Sequence, residues 1–195
     1  MNVFLDFDDT ITDSIENVVR IANKRYNRNQ NHEDLERWDF FDMYPDIPRA
    51  EITEIFGEQE FFDTLRIKPD ALMVIYKLSK RNKFTVVSKV SEEALKRKTI
   101  WIRKNFNDIG IPLEFVGVPL GKSKGIIDMT DGIIVDDNVK FLDETNAKYK
   151  IYFNNGRKFD ETQHWDGLTV HNWKELDKVL RDILHKEKGI TNGKI

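Results

Sequence analysis

The chain has no cysteine among its 195 residues. Disulfides, thiolate zinc sites, iron–sulfur clusters and cysteine nucleophiles are therefore excluded. Histidine is scarce, and His32, His164, His171 and His185 are scattered without the spacing of metal ligands. No apolar run approaches the ~18 residues of a membrane span. No repeat or low-complexity block is present. An excess of one charge is also lacking. The 31 basic and 34 acidic residues leave a formal charge of −3, too little for a broad field that grips nucleic acid or an anionic membrane. Met1 leads straight into Val3, Phe4 and Leu5 without a basic n-region or an apolar h-region. No signal peptide is visible, and a cytoplasmic location is the expectation.

The composition, 39% hydrophobic and 33% charged, is that of a globular protein. The length suits one domain, with or without a sizeable insertion, and buries roughly 70% of the unfolded surface. Five short apolar runs read as buried strands: residues 3–7, 84–87, 113–118, 132–135 and 150–153. They are rich in β-branched and aromatic residues, as in a parallel sheet covered on both faces. Helical spacing lies between them. It links Ile15, Val18, Val19, Ala22 and Tyr26, then Leu72, Ile75 and Leu78. It recurs in Ala94, Leu95, Trp101, Ile102 and Phe106, with Ser91 as N-cap, and in Leu176, Val179, Leu180, Ile183 and Leu184. The alternation predicts an α/β fold, a Rossmann-like open parallel sheet. The polar tail, 186–195, is expected to fray.

About 75 residues separate the first strand from the second, where a simple crossover needs about 30. The excess, residues 12–66, reads as a mostly helical cap inserted after strand one. The catalytic core is then 1–11 and 67–195. The insertion carries Trp38, Phe40, Phe41, Tyr44, Phe56, Phe61 and Phe62.

Asp6-Phe7-Asp8-Asp9-Thr10 stands at the end of the first strand. Alternation sends Asp6 and Asp8 to one side and turns Phe7 inward. Ligands of open α/β sheets bind beyond the carboxyl ends of the strands. Acids crowded there repel and lose hydration, and a hard cation such as Mg²⁺ removes that cost. Asp136 and Asp137 end a second apolar strand. One such pair alone is as well explained by a helix cap; two are not. Ser88, after the second strand, can hydrogen-bond a phosphate oxygen or act as a simple cap. Lys122 and Lys124 stand in a Gly121-Lys122-Ser123-Lys124-Gly125 turn, which taken alone reads as solvated.

Together, Asp-x-Asp-x-Thr, a Ser, a Lys and a late Asp-Asp follow the motif order of the haloacid dehalogenase superfamily. The chain further resembles its 5′(3′)-deoxyribonucleotidase branch. Glu60-Phe61-Phe62 with Lys68-Pro69-Asp70-Ala71, the stretch 98–106 beginning Lys98-Thr99-Ile100-Trp101, and Arg37-Trp38-Asp39-Phe40-Phe41 carry that likeness. Departures from the branch are Asp9-Thr10 after the second aspartate, Ser88-Lys89 for its Thr-Ser, the placing of Lys122-Ser123-Lys124, and Ser14 for an early cap aromatic. They bear on nucleobase preference more than on the reaction.

The resemblance implies a Mg²⁺-dependent phosphomonoester hydrolase acting on (deoxy)ribonucleoside monophosphates through an aspartyl-phosphate. Asp6 is the implied nucleophile and Asp8 the general acid and base, with Ser88 and Lys124 on the phosphate. Asp6, Asp8, Asp136 and Asp137 are the implied metal set. Thr10, Lys89 and Lys122 are assigned to substrate, as are Trp38, Phe40 and Phe41, whose rings either stack on a base or pack the cap. Lys98, on the helix of Leu95 and Trp101, either points toward the site as a rival to Lys124 and Lys122 or, as is expected, packs its stem and snorkels its ammonium. The implied partner is a small phosphorylated substrate; a homodimer stays open.

Other readings are another small phosphate ester or polynucleotide ends within the superfamily, a phospho-receiver domain, and a P-loop enzyme. The last rests on residues 117–123, which place three residues between the glycines where the P-loop needs four.

Overall fold

The computed structural model describes residues 1–38 and 40–189. Six strands form one parallel sheet: β1 (Asn2–Leu5), β2 (Lys83–Val90), β3 (Glu114–Pro119), β4 (Ile133–Asp136), β5 (Tyr149–Phe153) and β6 (Leu168–Val170). Their spatial order is β3-β2-β1-β4-β5-β6. Leu5 aligns with Val86 on one side and with Val135 on the other. The order reverses around β1, so the carboxyl ends of β1 and β4 adjoin at the switch point where open α/β sheets bind ligands.

Alternation along the strands divides the core. Val3, Leu5 and Val86 belong to the larger apolar cluster, whereas Phe4, Val87 and Ile134 belong to a smaller one. The larger is covered by residues of α1 (Ser14–Tyr26), α4 (Ala71–Ser79), α5 (Glu92–Asn105) and α8 (Trp173–Glu187); the smaller by Val139 and Leu142 of α6 (Val139–Glu144). Each fully buried Leu or Ile contributes about 1.5–3 kcal/mol. Trp173, also fully buried, donates its indole N–H to the Thr10 carbonyl at 2.8 Å, which ties α8 to the loop after β1.

All five expected strands are present. The first ends at Leu5 rather than at Phe7, because residues 6–12 leave the ladder and turn back on themselves. Strand β6 has only three residues at the sheet edge and carries too short a pattern to be read. Ser91 caps α5, its Oγ accepting the Ala94 N–H at 3.1 Å. Of the tail expected to fray, Glu187 is instead held in α8, where it accepts from Lys148 at 2.8 Å and from the Tyr149 hydroxyl at 2.6 Å. Residues 190–195 lie outside the described residues.

Between β1 and α4 run α1, a 3-10 turn at His32–Asp34, α2 (Arg49–Glu54), a 3-10 turn at Ile55–Gly57 and α3 (Gln59–Thr64). This segment shares the larger core: Ile15, Phe40, Tyr44 and Phe61 pack in one cluster with Val3 and Leu5. The P-loop reading fails on the local structure. After β3 the chain makes a 3-10 turn, Lys124–Ile126, and goes on to β4, whereas a P-loop opens a helix at its Lys-Ser.

Candidate active site

Three strand ends meet at the site. Asp6 follows β1 directly, its N–H bonded to the Val135 carbonyl of β4 at 2.9 Å. Ser88 lies within β2, and Asp136 ends β4. Lys124 reaches this point fully buried. Its ammonium donates to Asp6 Oδ1 at 2.5 Å and to Asp136 Oδ2 at 2.6 Å. The next residue explains the approach. A Cβ on Gly125 would stand 2.3 Å from the Glu144 carbonyl oxygen, so only glycine lets the turn close against α6.

Asp8 forms a second centre beside the first. Lys98 of α5 donates to its Oδ2 at 2.7 Å and to Ser88 Oγ at 3.0 Å. The Ser14 hydroxyl donates to Asp8 Oδ1 at 2.7 Å. The expectation that Lys98 snorkels is thus corrected. Lys98 is 3% exposed and shares the buried stripe of α5 with Ala94, Trp101 and Ile102. Its stem cannot reach water, so the carboxylate of Asp8 and the face of Phe7, 4.3 Å away, take the charge.

A third centre was not legible beforehand. Arg157, buried after β5, reaches Asp9 at 2.5 Å, Asp137 at 3.0 Å and Asp160 at 2.9 Å. Asp9 adopts a left-handed backbone, φ 55°, which aspartate tolerates. The turn lets its carboxylate also accept the Ile15 N–H at 3.1 Å.

Burial raises the carboxyl pKa of Asp6 to about 7, against the opposing charge of Lys124 and with the repulsion of Asp136 and Asp8. Burial likewise raises Asp136, against Lys124, and lifts Asp137 well above the carboxylate range, against Arg157. Burial works against the charge of Lys124 too, but Asp136 and Asp6 hold it above the usual lysine range. One ammonium shared by two carboxylates does not offset both burial costs. Carboxylate oxygens of Asp6, Asp136 and Asp137 lie within 4.8 Å of one another. A buried, all-oxygen set with too little positive charge fits a hard divalent cation.

Several assigned residues stand elsewhere. Thr10 is fully buried with an unpartnered Oγ1; it cannot reach a substrate and is a core residue instead. Phe40 is corrected likewise: it is 2% exposed and packs against Phe56 at 6.2 Å. Trp38 packs on Phe159 at 5.5 Å and lies 5.8 Å from the Arg157 guanidinium. Phe41 is 56% exposed, with the Arg37 guanidinium 5.6 Å from its ring. Lys122 is exposed on its turn. Lys89 is half-buried, its ammonium 4.9 Å from the Phe141 ring, and that of Lys124 lies at the same distance.

Comparisons with known proteins bear on the family and the fold. The family described as 5′ nucleotidase, deoxy (pyrimidine), cytosolic type C matches residues 1–187. No curated protein matches the sequence. Among solved structures, a candidate phosphatase from Clostridium difficile superposes with TM-score 0.61 at 18% identity, covering 92% of this chain and 97% of that one. The HAD-type protein YfnB of Bacillus subtilis, solved with magnesium bound, gives 0.56 at 12% identity over 92% and 97%. The D,D-heptose 1,7-bisphosphate phosphatase of Burkholderia thailandensis gives 0.53 at 12% identity over the same shares. These likenesses establish a HAD-like fold. The chain belongs to the cytosolic type C 5′ nucleotidase family, and it is a phosphatase.

Proposed function

We propose that the protein hydrolyses (deoxy)ribonucleoside monophosphates in the cytoplasm, with Mg²⁺ as cofactor and Asp6 as nucleophile. The observation that carries this reading is the convergence of Asp6, Asp8, Ser88, Lys98, Lys124 and Asp136 on three adjoining strand ends. The family match supports the nucleotide substrate.

Lys124 fixes one oxygen of Asp6 and leaves the other without a hydrogen bond among the described residues. That oxygen attacks phosphorus, the ester oxygen leaves, and Asp6 becomes an aspartyl-phosphate. Splitting the displacement in two lowers each barrier. Asp8, a carboxylate paired with Lys98 and bonded by Ser14 in the free enzyme, takes up a proton as the substrate binds and gives it to the leaving oxygen. It then takes a proton from the water that attacks the aspartyl-phosphate, releasing phosphate and restoring Asp6. Ser88, Lys98 and Lys124 bear on the equatorial oxygens, where charge spreads in the transition state. Asp6, Asp136 and Asp137 would hold Mg²⁺, which neutralises charge between phosphate and nucleophile when bound. The segment 12–66 serves as the cap. It is joined to the site through Arg97, next to Lys98, whose guanidinium donates to the Gly57 carbonyl at 2.8 Å.

A panel of 5′- and 3′-(deoxy)nucleotides, sugar phosphates and 5′-phosphorylated oligonucleotides, assayed for phosphate release with Mg²⁺ and with EDTA, tests the reading. Turnover of mononucleotides that EDTA abolishes and Mg²⁺ restores is expected. Full turnover in EDTA, or turnover of sugar phosphates alone, overturns it.

A further inference from the structure

We propose that Arg157 is a positioning residue that orients Asp137 for the divalent cation, with Asp9 and Asp160 as its anchors; this rests on the metal reading above. The observation is a single guanidinium bound on three sides. Its Nη1 donates to Asp9 at 2.5 Å, its Nη2 to Asp137 Oδ2 at 3.0 Å, and its Nε to Asp160 Oδ2 at 2.9 Å. All four residues are at most 3% exposed. Among the described residues, no hydrogen bond reaches the other Asp137 oxygen. The guanidinium therefore fixes one oxygen of Asp137 and leaves its partner for a cation. Lys124 does the same to Asp6.

The anchors are themselves held. Asp160 accepts the Tyr152 hydroxyl at 3.0 Å and the Arg157 N–H at 2.9 Å. Asp9 accepts the Ile15 N–H. The guanidinium plane is fixed against rotation by partners on three segments: the turns after β1 and β4, and the short helix α7 (Lys158–Glu161) after β5. A lysine offers charge without that fork. The stretch also meets the inserted segment, since the Phe159 N–H donates to the Leu35 carbonyl at 2.6 Å and Lys158 pairs with Asp34 at 3.1 Å. The setting of Asp137 is thereby tied to the placement of residues 34–38.

Partners of metal-ligand side chains typically govern affinity by about 10–100-fold. The test is calorimetric titration of Mg²⁺ into the full-length wild type, Arg157→Lys and Asp9→Asn, with a melting curve and circular dichroism for each. Wild type is expected to bind. Arg157→Lys, folded, is expected to bind at least about 10-fold more weakly, and Asp9→Asn is expected to lose less. A folded Arg157→Lys with wild-type Mg²⁺ affinity and only a lowered Tm overturns the proposal, showing a scaffold role. Should Arg157→Lys not fold, Asp9→Asn decides, and unchanged affinity there overturns it. Failure of the wild type to bind Mg²⁺ removes the metal reading and this inference together, an outcome distinct from a defect confined to the variants.

Discussion

Two lysines serve the site in different surroundings. Lys124 is sealed between Asp6 and Asp136, and all three side chains are nearly or wholly buried. Lys98 faces a single carboxylate, Asp8, whose side chain keeps 17% of its exposure and shares two hydroxyls, Ser14 and Ser88. The first centre is short of positive charge and the second is balanced. On the proposed mechanism, the difference is what keeps a nucleophile and an acid apart in one pocket. The crowded, buried centre favours a cation and a phosphoryl acceptor. The balanced, partly open centre suits the proton-exchanging role proposed for Asp8.

The largest effect should come from Asp6→Asn. Loss of the attacking carboxylate is expected to lower kcat by about 10⁴-fold or more with the fold retained by circular dichroism. Near-wild-type phosphate release would abolish the distinction between the two centres.

The lysines sharpen it next. Lys124→Met leaves two buried carboxylates without their cation and should cost about 3–5 kcal/mol in denaturant unfolding. Lys98→Met leaves Asp8 partly hydrated and bonded to Ser14; it should cost about 1 kcal/mol in stability but roughly 10²–10³-fold in kcat. Equal stability losses would contradict the account. Activity kept in Lys124→Met and lost in Lys98→Met would shift the phosphate contact to Lys98 alone.

The smallest effect is on pH. Asp6 has a folded pKa near 7, against about 3.9 unfolded. Between those values the folded state binds more protons than the unfolded one. Stability from this group is present at low pH and lost as pH rises through about 7. Burial raises Asp9, Asp136 and Asp137 too, so all four act in one direction. The Tm of EDTA-treated protein should fall between about pH 5 and pH 8, and Mg²⁺ should restore it most at the upper end. A Tm that rises over this range without metal would contradict the sign.

These two centres were unequally legible in the sequence. Asp6 and Asp136 end short β-branched runs, and that position alone places them beyond the carboxyl edge of a parallel sheet. Lys124 is suggested by motif order, and in the fold its ammonium lies against Asp6. Lys98 stands four residues after Ala94 and three before Trp101, which puts it on the apolar stripe. A charged residue on such a stripe either bends its stem outward or finds a buried partner, and a single sequence cannot decide between them. Arg157 follows Asn154-Asn155-Gly156 and reads as a solvated turn. Beyond the neighbouring Asp160, its partners lie 148 and 20 residues away, separations at which local pattern is silent. Type and neighbourhood suggest Phe40 and Thr10 for substrate; burial, of Phe40 against Phe56 and of Thr10 beside Trp173 of α8, takes both away.

The central claim is that Asp6 carries the phosphoryl group. The direct measurement is acid-quenched mixing of enzyme with its best mononucleotide, followed by peptide mass spectrometry. The account predicts one added phosphoryl group on the peptide containing Asp6, absent from Asp6→Asn and discharged by water in the wild type. Phosphoryl found on any other residue, or full turnover with no labelled peptide at any quench time, would contradict it.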